Sequence, residues 1–389
     1  MQLSQRVSTL KGSVTLALAA AAKEMAAAGR DVVNMAVGEP DFDAPRLARD
    51  AAIAAVNSGA VKYTPAAGLV SLRATVAEHL RTTRGVEYGV ENVVICHSAK
   101  HALSHTLLAL VDPGDEVLLL DPAWSSYYAQ IQLAGGVAVH VPPTQDGTCA
   151  PDLEALRAAI TDRTAGIMFN TPSNPSGYVW SRAELEALAA ICEEHDLWMI
   201  SDEIYGRLVF DGAEHVSPAS LSESMRRRTV VVDGASKVFA MTGYRIGYLA
   251  ASPELATAVG NLQSQLSGCP NYVSQRAFEA CLVEEPEEVA EMIETFDRRR
   301  RIVIEAMERL GLKGPRPRGA FYALPNLEPY FDERGSEGFC ADLLEAEALA
   351  TVPGTAFGVP GHVRLSYAVS EERLREALTR FERFLSTRG

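Results

Sequence analysis

Six chemically different side chains follow short apolar runs along the chain. They offer an aromatic ring, an amide, a carboxylate, a phenol, an amine and a guanidinium: Trp124, Asn174, Asp202, Tyr205, Lys237 and Arg245. In open α/β sheets, ligands bind outside the carboxyl ends of the strands, so residues that follow strands are expected to meet at one site. The segment Ser98, Ala99 and Lys100 opens a predicted helix, whose free backbone N–H groups favour a phosphate.

The elements that must position these side chains alternate between strand and helix. Six β-branched or aliphatic runs predict strands, at 92–96, 116–120, 137–141, 165–169, 197–200 and 229–232. The clearest of the helices between them covers 181–195 and opens with a capping box of Ser181 and Glu184. Nearly continuous apolar strands separated by helices are typical of a parallel sheet covered on both faces. We therefore expect an α/β protein with a mostly parallel sheet in its larger part.

The pattern changes after about residue 250. Residues 287–310 predict a long amphipathic helix that no Gly or Pro interrupts. Beyond it, the sequence predicts strands at 320–324 and 363–367, a helix near 336–350 and a C-terminal amphipathic helix at 370–386. These elements predict a second, smaller α/β unit.

The composition excludes several classes of function. The 389 residues include 36 Lys and Arg against 50 Asp and Glu, and the formal net charge of −14 disfavours nucleic acid and anionic membranes as partners. The apolar run at 14–22 contains Thr15 and is followed by Lys23, which favours a surface helix over a secretory signal, and no longer apolar run predicts a membrane span. Six scattered cysteines without a C-x-x-C pair predict buried thiols and a cytoplasmic protein.

Eight short motifs carry a resemblance to one family. They are GEPDF at 38–42, KY at 62–63, NTPSNPSG at 170–177, SDEIY at 201–205, SK at 236–237, MTGYRIGY at 241–248, GAFY at 319–322 and RLSY at 364–367. In this order they resemble the pyridoxal-phosphate (PLP) aminotransferases of fold type I, aspartate aminotransferase branch, over nearly the whole chain. The expected architecture is an N-terminal arm (1–12), a large cofactor-binding domain (44–289) and a small domain from both chain ends (13–43 and 290–389).

The resemblance implies a role for each residue around the cofactor ring. Lys237 would form the Schiff base with PLP and then carry the proton between the substrate α-carbon and the cofactor. Asp202 would pair with the pyridine nitrogen and keep it protonated. Asn174 and Tyr205 would hydrogen-bond the ring oxygen, and Trp124 would stack on the ring face. The amine, the carboxylate and the phenol are the expected catalytic groups.

The resemblance also implies how the cofactor phosphate is held and that two chains share each site. The expected phosphate ligands within one chain are Ser98, Ala99, Lys100, Ser236 and Arg245. Tyr63 would reach the phosphate from a second subunit. An obligatory homodimer with shared active sites follows from that contribution.

The substrate is expected to be an amino acid paired with a 2-oxo acid. By the resemblance, Arg364 would clamp the α-carboxylate, with the backbone of Gly38 nearby and with Trp124 and Asn174 also in contact. A bacterial subgroup binds a second carboxylate through a Ser-x-Thr pair and a lysine, which match Ser13, Thr15 and Lys100. These matches favour aspartate as donor and 2-oxoglutarate as acceptor, while prephenate and aromatic amino acids remain open.

Four positions depart from the pattern of that subgroup. Gly12 replaces a common proline, His101 a glutamine, Ala123 a tyrosine and Gly234 a phosphate-binding serine. They bear on the shape of the pocket and on cofactor affinity more than on the reaction.

Other interpretations of the sequence remain to be weighed. His97, His101 and His105 are spaced four apart, which also fits a metal site, but no carboxylate or cysteine nearby completes a ligand set, and we expect no metal. Ser8 and Lys11 match the S-x-x-K of serine acyl-enzymes, whose S-D-N and K-T-G partners are absent. Within the same fold, a ligand-sensing domain and a PLP-dependent C–S β-lyase are the alternatives.

Overall fold

A mostly parallel sheet lies at the centre of the larger part of the protein. The computed structural model describes residues 2–8, 10, 12 and 14–388. Within these described residues the strands are β1 Val33–Asn34, β2 Val93–Cys96, β3 Glu116–Leu120, β4 Val137–Val141, β5 Thr164–Asn170, β6 Trp198–Asp202, β7 Thr229–Gly234, β8 Gly247–Ala250, β9 Tyr322–Ala323, β10 Leu349–Ala350, β11 Val352–Pro353 and β12 Val363–Ser366. The central sheet has the order β2-β8-β7-β6-β5-β3-β4, and only β8 runs antiparallel to its neighbours. The predicted α/β class is confirmed.

Helices cover both faces of this sheet. The α-helices of the described residues are α1 Gln5–Ser8, α2 Val14–Ala27, α3 Arg46–Asn57, α4 Val70–Arg84, α5 Ala99–Leu110, α6 Ser126–Ala134, α7 Leu153–Ala159, α8 Arg182–Glu194, α9 Glu223–Arg228, α10 Ala235–Val238, α11 Pro253–Leu266, α12 Tyr272–Val283, α13 Glu287–Arg309, α14 Gly335–Glu347 and α15 Glu371–Ser386. Val94 of β2 belongs to the same core cluster as Leu103 of α5, whereas its neighbour Val93 belongs to the cluster of Leu72 in α4. Because successive side chains of a strand point to opposite faces, α4 and α5 cover opposite sides.

The strand β8 was not among the predicted strands. Its first residue, Gly247, lies opposite Cys96 and Gly234, the last residues of β2 and β7. An antiparallel strand therefore begins at the edge where the parallel strands end. Arg245, two residues before β8, reaches the same edge as the residues that follow the parallel strands.

The C-terminal part of the chain pairs with the N-terminal segment. β1 is parallel to β10, with Val33 opposite Leu349, and β9, β12 and β11 form a separate antiparallel sheet. The predicted helices are confirmed in α13, α14 and α15. Residue 290, where the sequence placed a domain boundary, lies inside α13. The division into an arm and two domains stays a prediction.

The predicted strand at 320–324 is too long. Ala320 has a φ of 56°, outside the extended region, and its N–H donates to the Leu208 carbonyl in a loop 2.9 Å away. Only Tyr322–Ala323 is left to pair with β12. The short strands β1, β10 and β11 were not predicted, because two residues carry no periodicity.

The N-terminal apolar run forms the helix α2, as predicted for a surface helix. Within the described residues, no helix is both long and apolar enough to cross a membrane. All six cysteines are free thiols, and all except Cys269, which is partly exposed, are buried as predicted.

Candidate active site

A pocket of about 460 Å³ lies at the edge where the parallel strands end and β8 begins. Its lining includes most of the predicted site residues: Gly38, Ser98, Ala99, Lys100, Trp124, Asn174, Asp202, Tyr205, Ser236, Lys237, Arg245 and Arg364. A concave site of this volume is of the usual size for a small ligand. The fold therefore brings together residues that are far apart in the sequence.

Lys237 and Asp202 supply an amine and a carboxylate to the same pocket. Lys237 is partly buried on α10, and its Nζ donates to the carbonyl oxygen of Gly38. Burial lowers the pKa of Lys237 to about 8, although Glu39 opposes the shift. Burial also raises the pKa of Asp202, which is 3% exposed at the end of β6, to about 7. Both groups titrate near neutrality, as proton transfer at physiological pH requires.

Three tyrosines hold the polar groups of the pocket. The Tyr127 hydroxyl donates to Asp202 Oδ2 at 2.7 Å, and the backbone N–H of Ile204 donates to Oδ1 at 3.2 Å. Both hydrogen bonds favour the ionised carboxylate. The hydroxyls of Tyr205 and Tyr322 lie 2.8 Å apart, and burial raises the pKa of both phenols. The two phenols are therefore neutral hydrogen-bond donors at physiological pH.

The first turn of α5 forms an end of the pocket that suits an anion. Ser98 caps this helix, and the N–H groups of the first turn have no acceptor inside the helix. Ser236 and the exposed Arg245 lie at the same end, and Arg245 Nη1 donates to the Thr242 carbonyl at 2.8 Å. Ser98 and Arg245 have φ values of 140° and 53°. Backbone conformations of this kind are strained and cluster at functional sites.

Two glycines allow this end of the pocket to be built. A Cβ on Gly247 would lie 2.5 Å from the Ala99 nitrogen, so only glycine permits α5 to start against β8. A Cβ on Gly234 would lie 2.6 Å from the Gly247 Cα. The close approach of these two backbone segments explains why a glycine stands at 234.

Arg364 is a buried cation at another wall of the pocket. It is 2% exposed, and its Nη1 and Nη2 donate to Asn174 Oδ1 at 2.9 Å and to the Ala36 carbonyl at 2.5 Å. Both acceptors are neutral, and among the described residues Nε has no hydrogen-bond partner. Its guanidinium stacks 4.6 Å from the ring of Tyr322, whose hydroxyl would lie 2.2 Å from any Cβ on Gly38. A buried cation without a carboxylate is costly unless an anion binds.

Lys100 lies at the rim of the pocket, beside Trp124. The exposed Lys100 places Nζ 4.6 Å from the centroid of the Trp124 ring, which in turn packs edge-on against Tyr127 at 5.5 Å. Partial burial and the charge of Arg245 lower the pKa of Lys100. The ring of Trp124 is thereby held between a cation and an aromatic neighbour.

Three predicted site residues remain, namely Tyr63, Ser13 and Thr15. Tyr63 is 98% exposed. Ser13 lies outside the described residues, and Thr15 lies in α2 without a described side chain. Their proposed contacts stay predictions.

Among the described residues, no three His, Cys, Asp or Glu side chains are grouped as a metal site requires. The rings of His97, His101 and His105 pack against one another on α5, with centroids 5.0 Å and 3.8 Å apart. Lys11 of the S-x-x-K pattern lies outside the described residues.

Comparison with known proteins identifies the family. Residues 30–381 match the family Aminotransferase class I and II. Aspartate aminotransferase of Bacillus subtilis is 41% identical and aspartate/prephenate aminotransferase of Thermus thermophilus 42% identical, with 99% and 98% of each chain covered. The solved aspartate aminotransferase of Thermus thermophilus with maleate superposes with a TM-score of 0.94 at 41% identity, covering 98% of this chain and 99% of that one.

The chain belongs to the class I and II aminotransferases. The predicted resemblance to the bacterial aspartate aminotransferase subgroup of fold type I is confirmed, and so is the dependence on PLP. This aminotransferase has a pocket that fits the cofactor. Four basic side chains line it against two acidic ones, Glu39 and Asp202, although the whole chain is acidic. A phosphate matches the α5 end with Arg245, and a protonated pyridine matches Asp202.

No role was predicted for several residues of the aminotransferase pocket. They are Val37, Glu39, Leu103, Tyr127, Asn170, Ile204, Thr242, Gly243 and Tyr322. Val37, Leu103 and Tyr127 lie within three residues of a predicted one, and the other six already stood inside the quoted motifs without a predicted role. Tyr322 stood in the quoted motif at 319–322, but nothing in the sequence revealed its contact with Tyr205.

Proposed function

We propose that this aminotransferase moves the amino group of aspartate to 2-oxoglutarate through alternate pyridoxal and pyridoxamine forms of the cofactor. The observation that carries the proposal is Arg364, a buried guanidinium whose hydrogen bonds go to neutral oxygens of Asn174 and Ala36. Its planar donors suit a carboxylate, which both substrates carry. Lys100 at the rim offers a second cation for the second carboxylate that aspartate and 2-oxoglutarate share.

We assign the cofactor contacts to the residues that the pocket brings together. When bound, PLP supplies the electron sink for cleavage at the substrate α-carbon. Asp202 would hold the pyridine nitrogen, Trp124 would cover the ring, and Asn174 and Tyr205 would donate to its oxygen. The phosphate would lie at the first turn of α5. Tyr127 orients Asp202 through its 2.7 Å hydrogen bond.

Lys237 is the residue assigned to proton transfer. Its Nζ is the group that would take a proton from the substrate α-carbon and deliver it to the cofactor carbon. Burial lowers its pKa to about 8, which makes the neutral amine accessible at physiological pH. In the structure this Nζ donates to the carbonyl oxygen of Gly38. The phenols of Tyr205 and Tyr322 keep the surrounding wall free of bulk water, since both are buried.

The similar proteins support a dicarboxylate substrate. The Bacillus subtilis relative is named for aspartate alone, and the Thermus thermophilus structure contains maleate, a four-carbon dicarboxylate. We expect Ser13 and Thr15 to join Lys100 around the second carboxylate. Prephenate is the second candidate, because the Thermus thermophilus relative at 42% identity is named for both substrates.

A homodimer is part of the proposed function. Val61, Tyr63 and Leu266 are exposed apolar side chains on neighbouring segments, since the Thr64 N–H donates to Cys269 Sγ at 3.3 Å. A second copy would cover this surface and receive Tyr63 at its phosphate end. We also expect a cytoplasmic location, which six free thiols support.

The test measures kcat/KM for a panel of amino donors with 2-oxoglutarate. We expect aspartate to exceed alanine and phenylalanine by at least about tenfold, because they lack the second carboxylate. In Lys237→Ala we expect no turnover and no visible absorbance from the lysine-bound cofactor. A preference for alanine, or release of sulfide, ammonia and pyruvate from cysteine without formation of glutamate, would contradict the proposal.

A further inference from the structure

A group of buried charges lies beside the pocket, at the ends of β6 and β7. Arg84 is the last residue of α4, and its side chain is 3% exposed. Its Nη1 donates to Glu203 Oε2 at 2.5 Å, and its Nη2 donates to Asp233 Oδ2. We name Arg84, Glu203 and Asp233 the ionic bridge. None of the three is among the residues that line the pocket.

The ionic bridge connects the two segments that carry the amine and the carboxylate of the site. Glu203 directly follows Asp202, and its N–H donates to the Val232 carbonyl at 2.8 Å, so it continues the pairing of β6 with β7. Asp233 lies one residue beyond Val232 and leads into α10, which carries Lys237. One guanidinium therefore ties together the backbone positions next to both functional groups.

The two carboxylates of the ionic bridge depend on Arg84 to different degrees. Glu203 also contacts His215 Nε2 at 3.0 Å and accepts from Ser217 Oγ at 2.7 Å. Asp233 accepts from the Gly234 N–H at 2.6 Å and weakly from Tyr248, and within the described residues Arg84 is its one cationic partner. Removal of Arg84 would leave Asp233 as a buried carboxylate without compensation.

We propose that Arg84 is a positioning residue for the cofactor site, which holds Asp202 and Lys237 in register by bridging Glu203 and Asp233. The proposal rests on the roles assigned above to Asp202 and Lys237. Two donors on one rigid plane reach two carboxylates at once, whereas a lysine ammonium is a single point charge on a flexible stem. Because small displacements of catalytic groups cost orders of magnitude in rate, a residue outside the pocket can control turnover in this way.

The ionic bridge also predicts how the stability of a variant without Arg84 depends on pH. The titratable groups that surround Asp233 are Arg84, Asp202, Glu203 and Tyr248. Burial raises the pKa of Asp233 even with Arg84 in place. Without Arg84 the pKa rises further, so the folded protein holds a proton that the unfolded chain releases. Stability of such a variant must fall as the pH rises.

The test compares Arg84→Gln, Arg84→Lys and the double variant Arg84→Gln with Asp233→Asn, in the full-length protein. Three quantities are measured: kcat and KM with aspartate, the affinity of the cofactor-stripped protein for PLP by absorbance titration, and the thermal midpoint of that protein at several pH values. We expect Arg84→Gln to lower kcat by about tenfold to a hundredfold, with KM changed by less than about threefold. PLP affinity should fall by at least about tenfold.

The double variant separates positioning from general damage. Asn at 233 keeps the acceptor for the Gly234 N–H and removes the uncompensated charge. We expect it to abolish the extra loss of thermal midpoint between about pH 6 and about pH 9, while kcat and PLP affinity stay as low as in Arg84→Gln, because the ionic bridge is still missing. Arg84→Lys should lie between the parent and Arg84→Gln.

Two results would overturn the proposal. One is an Arg84→Gln protein with a lower thermal midpoint but unchanged kcat and PLP affinity, which would make the bridge merely structural. The other is a double variant whose kcat and PLP affinity return to within about threefold of the parent, which would reduce the role of Arg84 to neutralising Asp233. If the parent enzyme failed to transaminate aspartate, the proposed function would fail, while the PLP and thermal measurements would still report on the ionic bridge.

Discussion

Arg364 and Arg84 are both buried guanidinium groups, yet their surroundings differ. Arg84 contacts two carboxylates, Glu203 and Asp233, whereas Arg364 contacts an amide and a carbonyl oxygen. A buried cation compensated by the protein holds the structure together. A buried cation compensated by neutral groups alone is incomplete without an anionic ligand. Both side chains are almost inaccessible, so burial does not distinguish the structural arginine from the ligand-binding one. The charge of their hydrogen-bond partners does.

Asp202, the last residue of β6, and Glu203, which directly follows it, repeat this contrast. Asp202 faces the pocket, and burial raises its pKa to about 7. For Glu203, burial also opposes ionisation, but Arg84 and His215 outweigh it and lower the pKa below its ordinary value. The end of β6 therefore carries one carboxylate that is available to a ligand, followed by one whose charge the protein already neutralises.

The largest expected effect comes from exchanging the two arginines for methionine. Arg364→Met should lower kcat/KM for aspartate by about a hundredfold to a thousandfold, because the α-carboxylate loses charge-assisted hydrogen bonds. Its free energy of unfolding should stay equal or rise. Arg84→Met should lower the free energy of unfolding by about 3–5 kcal/mol, because it strands buried carboxylates. Urea denaturation and steady-state kinetics measure both. An Arg364→Met protein as unstable as Arg84→Met would break the comparison.

A smaller effect distinguishes Asp202 from Glu203 through the pH dependence of the thermal midpoint. In the cofactor-free protein the raised pKa of Asp202 means that its ionisation opposes folding, so this contribution to stability is lost as the pH rises from about 4 to about 7. Asp202→Asn should therefore flatten the fall of the thermal midpoint between about pH 5 and about pH 8. Glu203 has a lowered pKa, and its contribution is lost only as the pH falls below about 4.5.

Glu203→Gln is the matched control for that measurement. It should lower the thermal midpoint throughout the interval from about pH 5 to about pH 8 without changing its slope. If the thermal midpoint fell equally steeply with pH in the parent and in Asp202→Asn, Asp202 would not have the raised pKa described above.

The smallest expected effect is at the rim of the pocket. Lys100→Ala should lower kcat/KM for aspartate by about tenfold and for alanine by less than about twofold, since an exposed cation contributes modestly. Lys313→Ala, another exposed lysine, which lies outside the pocket, should change neither. An equal loss for both donors would remove Lys100 from the second-carboxylate site.

The sequence was most informative where chemistry follows a strand. Asp202, Asn174 and Lys237 were found because the apolar strands before them were easily recognised and parallel strands end at one edge. Arg245 reaches that edge through an antiparallel strand of four residues, which periodicity did not reveal. Its place at the site was expected because it comes eight residues after Lys237, beyond the sixth predicted strand, whereas the strand β8 itself was not predicted.

Contacts between distant segments were beyond the sequence. The pairing of Tyr205 with Tyr322 and the ionic bridge from Arg84 join residues more than a hundred positions apart. In the sequence, a helix that ends in arginine before glycine is like any other helix C-terminus, since basic residues are favoured there. Only the packing of α4 against the sheet buries this particular arginine between two acids.

The parallel pairing of β1 with β10 has a consequence for synthesis. Val33 and its partner Leu349 are separated by 316 positions. At about 5–20 residues per second, a ribosome needs roughly 15–60 s to make the chain between them. During that interval β1 has no strand beside it, whereas the central sheet is complete in sequence once residue 250 has been made. The nascent enzyme should thus present its N-terminal segment to chaperones until translation is almost over.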